Sequence, residues 1–154
     1  MGLLADPLWF ADLLNCLQVW LREEPELITK ELGTHVDKLI HVFSFARAAS
    51  AQTFLKSLEP LVSIVQECPL LSVKMAEQGV IPSILTGLAI HEGSSYIRNQ
   101  LLLVLLFLVL HCKDAKKSVP DKDKMVKGVT EIMLSATGRV KDISKKILNA
   151  LAEK

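Results

Sequence analysis

Cysteine is scarce in this 154-residue chain, which has three, Cys16, Cys68 and Cys112. An odd number at wide spacing excludes a disulfide framework and a C-x-x-C metal pattern, and a reducing compartment is the simplest setting. Glycine is also scarce, with seven in all. Gly79, Gly87, Gly93 and Gly128 form neither G-x-G-x-x-G nor G-x-x-x-x-G-K, so no phosphate cradle is indicated and each reads as a cap, a loop or a close helix contact. No cationic segment precedes an apolar stretch at the start, and Asp6 stands where a myristoylation signal needs Ser or Thr. Neither export nor a lipid anchor is expected.

Chemistry-bearing side chains are equally sparse. None of the four histidines, His35, His41, His91 and His111, pairs with another at i, i+4, and no Glu or Cys completes a pair at ligand spacing. His111 and Cys112 are adjacent and point about 100° apart on a helix. Cys16 falls on an apolar helix face and Cys68 precedes a helix-ending proline, so both read as packing residues rather than nucleophiles. The expectation is a protein without metal, cofactor or catalytic centre.

What is present is hydrophobic mass and an uneven charge. Half of the residues are hydrophobic and the net charge is +1, which suits a single folded domain with a sizeable core. From His111 onward, eleven Lys or Arg face six Asp or Glu, a local charge of +5, and the preceding part carries −4. The basic stretch holds Lys113, Lys116, Lys117, Lys122, Lys124 and Lys127, interrupted by Asp114, Asp121 and Asp123. It has no aromatic side chain for base stacking, which argues against nucleic acid and for a solvated loop. If that stretch binds anything, an acidic protein segment fits best.

Leu101 to Leu110, "LLLVLLFLVL", carries no polar side-chain atom. Bounded by Arg98, Asn99 and Gln100 and by His111, Cys112 and Lys113, it falls short of the roughly 20 residues of a membrane span. A helix apolar on every face must then be enclosed by others.

Helix signals supply those others. Asp6-Pro7 opens a first helix with Trp9, Leu13, Cys16, Leu17 and Trp20 on its apolar face. Pro25 opens a short second helix that Gly33 closes, and Thr34 caps a third carrying Val36, Leu39, Ile40 and Phe43. From Ser50, Phe54, Leu58, Leu61, Val62 and Val65 line up, with Pro60 expected to kink or split the helix and Pro69 to end it. Leu70 to Gln78 stops at Gly79, Pro82 sits in the first turn of the next helix, and Ser94 or Ser95 caps a helix from Tyr96 to about Cys112. Past Pro120 follow a helix from about Asp123 to Ser135, a break at Gly138, and a last helix bearing Val140, Ile143, Ile147 and Leu151.

These helices recur. A shift of 45 places sets Trp9, Leu13, Leu17, Trp20, Ile28, Val36, Ile40 and Phe43 on Phe54, Leu58, Val62, Val65, Val73, Ile81, Leu85 and Leu88, and every pair is apolar. A further shift of 43 carries Phe54, Leu58, Val62 and Val65 onto Ile97, Leu101, Leu105 and Leu108, and one of 44 carries Ile81, Leu85 and Leu88 onto Met125, Val129 and Ile132. Such a period belongs to arrays whose units bury their faces on one another.

"VKMAEQGVIPSILTGLAIHEGSSYIRNQLLLVLLFLVL" resembles the armadillo consensus at Gly79, Ile81-Pro82, the loop from Glu92 to Ser95, and Ile97-Arg98. "TFLKSLEPLVSIVQECPLLSVKMAEQGVIPSILTGL" is similar to armadillo-like regions outside the kinase domain of fungal septation kinases and plant epsilon-type MAP kinase kinase kinases. No Gly-rich loop or His-Arg-Asp of a kinase occurs. The resemblance implies an all-α fold, a right-handed α-solenoid of about three armadillo or HEAT units (6–48, 50–91 and 94–135) plus a terminal helix (139–153). It also implies a partner groove lined by the third helix of each unit: Lys38, His41, Ser44 and Arg47, then Ser83, Thr86 and Ile90, then Lys127, Thr130 and Glu131. Many armadillo grooves hold a peptide backbone with asparagines there. None occurs at these positions, so a helical, folded or acidic partner is favoured over an extended peptide. The expected role is a scaffold, adaptor or kinase-regulatory docking module in the cytosol or nucleus, monomeric or dimeric. The alternative is a helical dimerisation domain.

Overall fold

Proline and glycine punctuate this chain much as their backbone chemistry demands. The computed structural model describes residues 7–24, 26–27, 30, 51–91 and 93–152, and among them are seven helices and no strand. They are α1 (Pro7–Glu23), α2 (Ala51–Glu67), α3 (Pro69–Glu77), α4 (Val80–Ile90), α5 (Ser95–Asp114), α6 (Lys122–Ser135) and α7 (Gly138–Ala152). The expected second helix lies largely, and the third wholly, outside the described residues.

Local signals explain most boundaries. Pro69 occupies the first turn of α3, where its missing N–H is no loss. Gly79 (φ +85°) turns the chain through the left-handed region between α3 and α4. The Ser94 hydroxyl accepts from the Ile97 amide at 3.3 Å and starts α5. Gly138 (φ +65°) separates α6 from α7.

Two expectations need correction. Pro60 does not split its helix: α2 runs unbroken from Ala51 to Glu67 with Pro60 buried inside it. Leu58, Leu61, Ile64 and Val65, on both sides of the proline, are fully buried, and this shared packing outweighs the roughly 3 kcal/mol that an interior proline costs. Two residues of the face expected for α1 also turn out to be exposed. Leu21 is buried and Leu17 half-buried, whereas Cys16 is exposed and Trp20 is 50% exposed. The inward stripe follows Leu17 and Leu21, the residues that α1 sets toward α2 and the core.

The apolar decad lies at the centre. α5 packs against α2, α3, α4 and α7. Leu101, Leu102, Val104, Leu105, Leu108 and Val109 are sealed from solvent, Leu106 is buried, Leu103 and Phe107 are half-buried, and Leu110 is 37% exposed. At 20 residues the complete helix is long and apolar enough to cross a membrane, a length the decad taken alone understates. Its neighbours account for its apolarity without a bilayer. The remaining packing joins α1 to α2, α6 to α4, and α7 to both α5 and α6. Helices that the 43- and 44-residue shifts relate therefore touch: α2 lies on α5, and α4 on α6.

Candidate functional site

The surface expected to meet a partner is partly in view. Lys38, His41, Ser44 and Arg47 lie outside the described residues. On α4, Val80, Ile81, Ile84 and Leu88 point into the core, which turns Thr86 and Ile90 outward as exposed residues and leaves Ser83 half-buried. The Thr86 hydroxyl is occupied, donating to the Pro82 carbonyl at 3.0 Å. On α6, Met125, Val129 and Ile132 are buried, so Lys127 and Glu131 are exposed and Thr130 half-buried. α4 and α6 meet where Gly128 faces Leu85; a Cβ at Gly128 would stand 3.3 Å from a Leu85 methyl.

Between them is a cleft of about 340 Å³ lined by Leu85, Ala89, Arg98, Glu131 and Ser135 among others. Arg98 reaches it from α5, with its Nε donating to the Leu88 carbonyl at 3.2 Å and closing the last turn of α4. Val126 (37% exposed) and Leu134 (77%) extend the outer face of α6 with apolar surface. Sequence reasoning did not select these two. Their i, i+8 spacing through Thr130 was the available signal.

A second cleft gathers lysines of the basic stretch that the sequence reads first as a solvated loop. Its volume is about 490 Å³, and Lys113, Lys116, Lys117, Ser118, Val119, Lys122, Ala150 and Leu151 line it. The loop between α5 and α6 closes back on α5 through Lys116 N–H to Lys113 O (2.9 Å) and Lys117 N–H to Cys112 O (2.8 Å), with Lys116 at φ +59° and Asp121 at φ +54°. Val119 packs against the core beside Leu151. Four lysines thus converge on a wall that contains no carboxylate among the described residues, although Asp114, Asp121 and Asp123 alternate with them along the chain. Lys117 also pairs with Glu77 at 3.1 Å.

Where α3 meets α5, the sealed Ser72 hydroxyl lies 2.9 Å from the Val65 carbonyl, 3.2 Å from the Cys68 carbonyl and 2.8 Å from His111 Nδ1. A serine hydroxyl has one hydrogen, here given to a carbonyl, so Nδ1 carries the hydrogen that closes the contact. The imidazole stacks on Phe107, with ring centroids 6.3 Å apart. Burial holds the His111 pKa below the usual histidine value, opposed by Asp114, and burial with help from Glu77 pushes the Cys112 thiol up, opposed by Lys117. A hydroxyl sealed from solvent is no nucleophile for a substrate, and a thiol held protonated is a poor one. Among the described residues no three His, Cys, Asp or Glu side chains gather as a metal-binding group.

Comparison of the chain with models of protein families, with curated proteins and with solved structures finds no match, so the reading of these surfaces rests on their geometry.

Proposed function

We propose that this chain is a non-catalytic protein-binding module, a right-handed stack of armadillo- or HEAT-like units that offers the outer faces of α4 and α6 to a partner protein. The observation that carries this reading is the contact of α2 with α5 and of α4 with α6, the pairs that the repeat relates. In a solenoid, each unit buries its apolar face on the next, and the third helices form one continuous surface. Leucine-rich α5 is then the rigid support, and Thr86, Ile90, Lys127, Thr130 and Glu131 are left to meet a partner. Mixed charge and apolar Leu134 suit a helix or a folded surface. Scaffolding, adaptor or kinase-docking work in the cytosol or nucleus follows from this reading.

Affinity capture with the intact chain, followed by cross-linking and mass spectrometry, tests it. Cross-links should map to α4 and α6, and the variant Thr86→Arg/Lys127→Glu/Leu134→Ser should lose the captured protein while its circular dichroism is unchanged. Equal capture by both proteins would remove the surface from consideration. A reproducible thermal shift with a metal ion or a nucleotide would favour an enzyme instead. Exposed Val126 and Leu134 also support a second reading, a helical dimerisation domain, for which light scattering would show a mass that doubles with concentration.

A further inference from the structure

We infer that the lysine cleft between the α5–α6 loop and the end of α7 is the docking subsite for an acidic segment of a partner protein, a short stretch in which carboxylates flank one apolar side chain. The inference rests on the reading of the chain as a protein-binding module and assigns a place and a chemistry within it.

Three observations support that occupant. Charge is sorted in space: Lys113, Lys116, Lys117 and Lys122 line the cleft, and the aspartates that alternate with them in sequence do not. Like charges gathered on one wall repel one another unless an anion lies between them. Lys117 already has Glu77, whereas Lys116 and Lys122 make no ion pair with a described residue.

The floor is apolar. Val119, Ala150 and Leu151 line the cleft with the lysines, and Ala150 and Leu151 are buried, a combination that takes a hydrophobic side chain as well as charge. An inorganic anion would leave that floor uncovered. Among the described residues the cleft has no aromatic side chain on which a base could stack, which favours a peptide over a nucleic acid strand.

The frame is also fixed. The two backbone hydrogen bonds that fold the loop onto the end of α5 hold Lys116 in the left-handed region. Lys122 stands at the start of α6. The two ammonium groups without ion-pair partners are therefore presented from anchored backbone rather than from a long free loop, which lowers the ordering cost of binding.

The probe is a fluorescein-labelled peptide, Glu-Glu-Leu-Asp-Glu-Glu, followed by fluorescence anisotropy with the full chain. The variant Lys116→Glu/Lys122→Glu should weaken binding by about tenfold or more, because two contacts become repulsive. The control Lys124→Glu/Lys145→Glu, with the same charge change on exposed positions of α6 and α7 outside the cleft, should stay within about twofold of the wild type, since exposed charges outside the site are screened by salt. Replacing the peptide leucine by serine should also weaken binding severalfold. Circular dichroism guards against misfolding, and Glu at Lys122 favours the helix N-terminus in any case.

The inference is overturned if both lysine pairs lower affinity equally, if the serine peptide binds as well as the leucine peptide, or if a length-matched single-stranded oligonucleotide binds more tightly through Lys116 and Lys122. If the captured partner is lost with the α4/α6 variant but kept with Lys116→Glu/Lys122→Glu, the binding module stands and the lysine subsite falls. Loss with the lysine pair alone would keep the lysine subsite and remove the α4/α6 surface.

Discussion

A serine with no exposed surface is tolerated in α3 because its hydroxyl is fully engaged, by carbonyls on one side and by His111 on the other. The Nδ1–H can make that contact whether or not the ring is charged, so it is the half-buried place of the imidazole that favours the neutral form. Since burial depresses the folded-state pKa of both His111 and His91, the unfolded chain binds protons first as pH falls, and stability drops below about pH 6.5. Stability is complete above that value and is lost as pH falls through the depressed folded pKa values. Thermal melts at pH 7 and pH 5 should show the lower Tm at pH 5, and His111→Gln should reduce the difference. A Tm independent of pH over this range would contradict the burial argument. The thiols offer a second check. Cys16 is exposed while Cys68 and Cys112 are buried, so Ellman's reagent should titrate Cys16 rapidly in the native protein and the other two after denaturation. Rapid native reaction in Cys16→Ser would place a buried thiol within reach of solvent.

Helix against helix, two glycines do the same job with different tolerance. A Cβ at Gly87 would stand 3.3 Å from a methyl of Leu101, and one at Gly128 equally close to a methyl of Leu85. Leu101 is sealed in the core, whereas Leu85 is half-buried and can give way. Replacing a helical glycine by alanine gains about 0.5–1 kcal/mol of helix stability, and overpacking a core costs about 1–3 kcal/mol. Gly87→Ala should therefore destabilise the protein by about 1 kcal/mol, the difference between those terms. Gly128→Ala should be neutral or stabilising by up to about 1 kcal/mol. Urea unfolding of the two variants measures the contrast, and equal changes of the same sign would refute it. The helices involved were largely readable in the chain: Pro69, Gly79, Ser94 and Gly138 mark their ends through backbone chemistry that acts within a few residues. Which glycine sits against a rigid neighbour was not readable, because Gly87 and Leu101 belong to different helices.

The fold as one body is organised around α5, whose main packing is against α2, α3, α4 and α7. Its inner leucines should accordingly dominate stability. Leu105→Ala removes a fully buried side chain and should cost about 2–5 kcal/mol, whereas Leu134→Ala, at a position 77% exposed, should stay within about 0.5 kcal/mol. Chemical denaturation compares them directly, and a mild Leu105→Ala would mean that α5 is not the hub. The same arrangement explains why the decad resembles a membrane segment in composition. Enclosure by protein on most of its faces, or by lipid, demands much the same apolar surface.

Helix content, the burial of the α5 run, and the inward faces of α6 and α7 were legible from periodicity, since each depends on residues three or four apart on one helix. The exposure of Cys16 and Trp20 on α1 was not, nor was the survival of α2 across Pro60. Both depend on what packs alongside, and burial on a neighbour outweighs a local preference of a few kcal/mol. The lysine cleft shows the difference most plainly. Along the chain its lysines and aspartates alternate and nearly cancel. Folding of the loop onto α5 and α7 set the lysines on one wall and left the aspartates off it, because electrostatics follow distance in space rather than order in sequence.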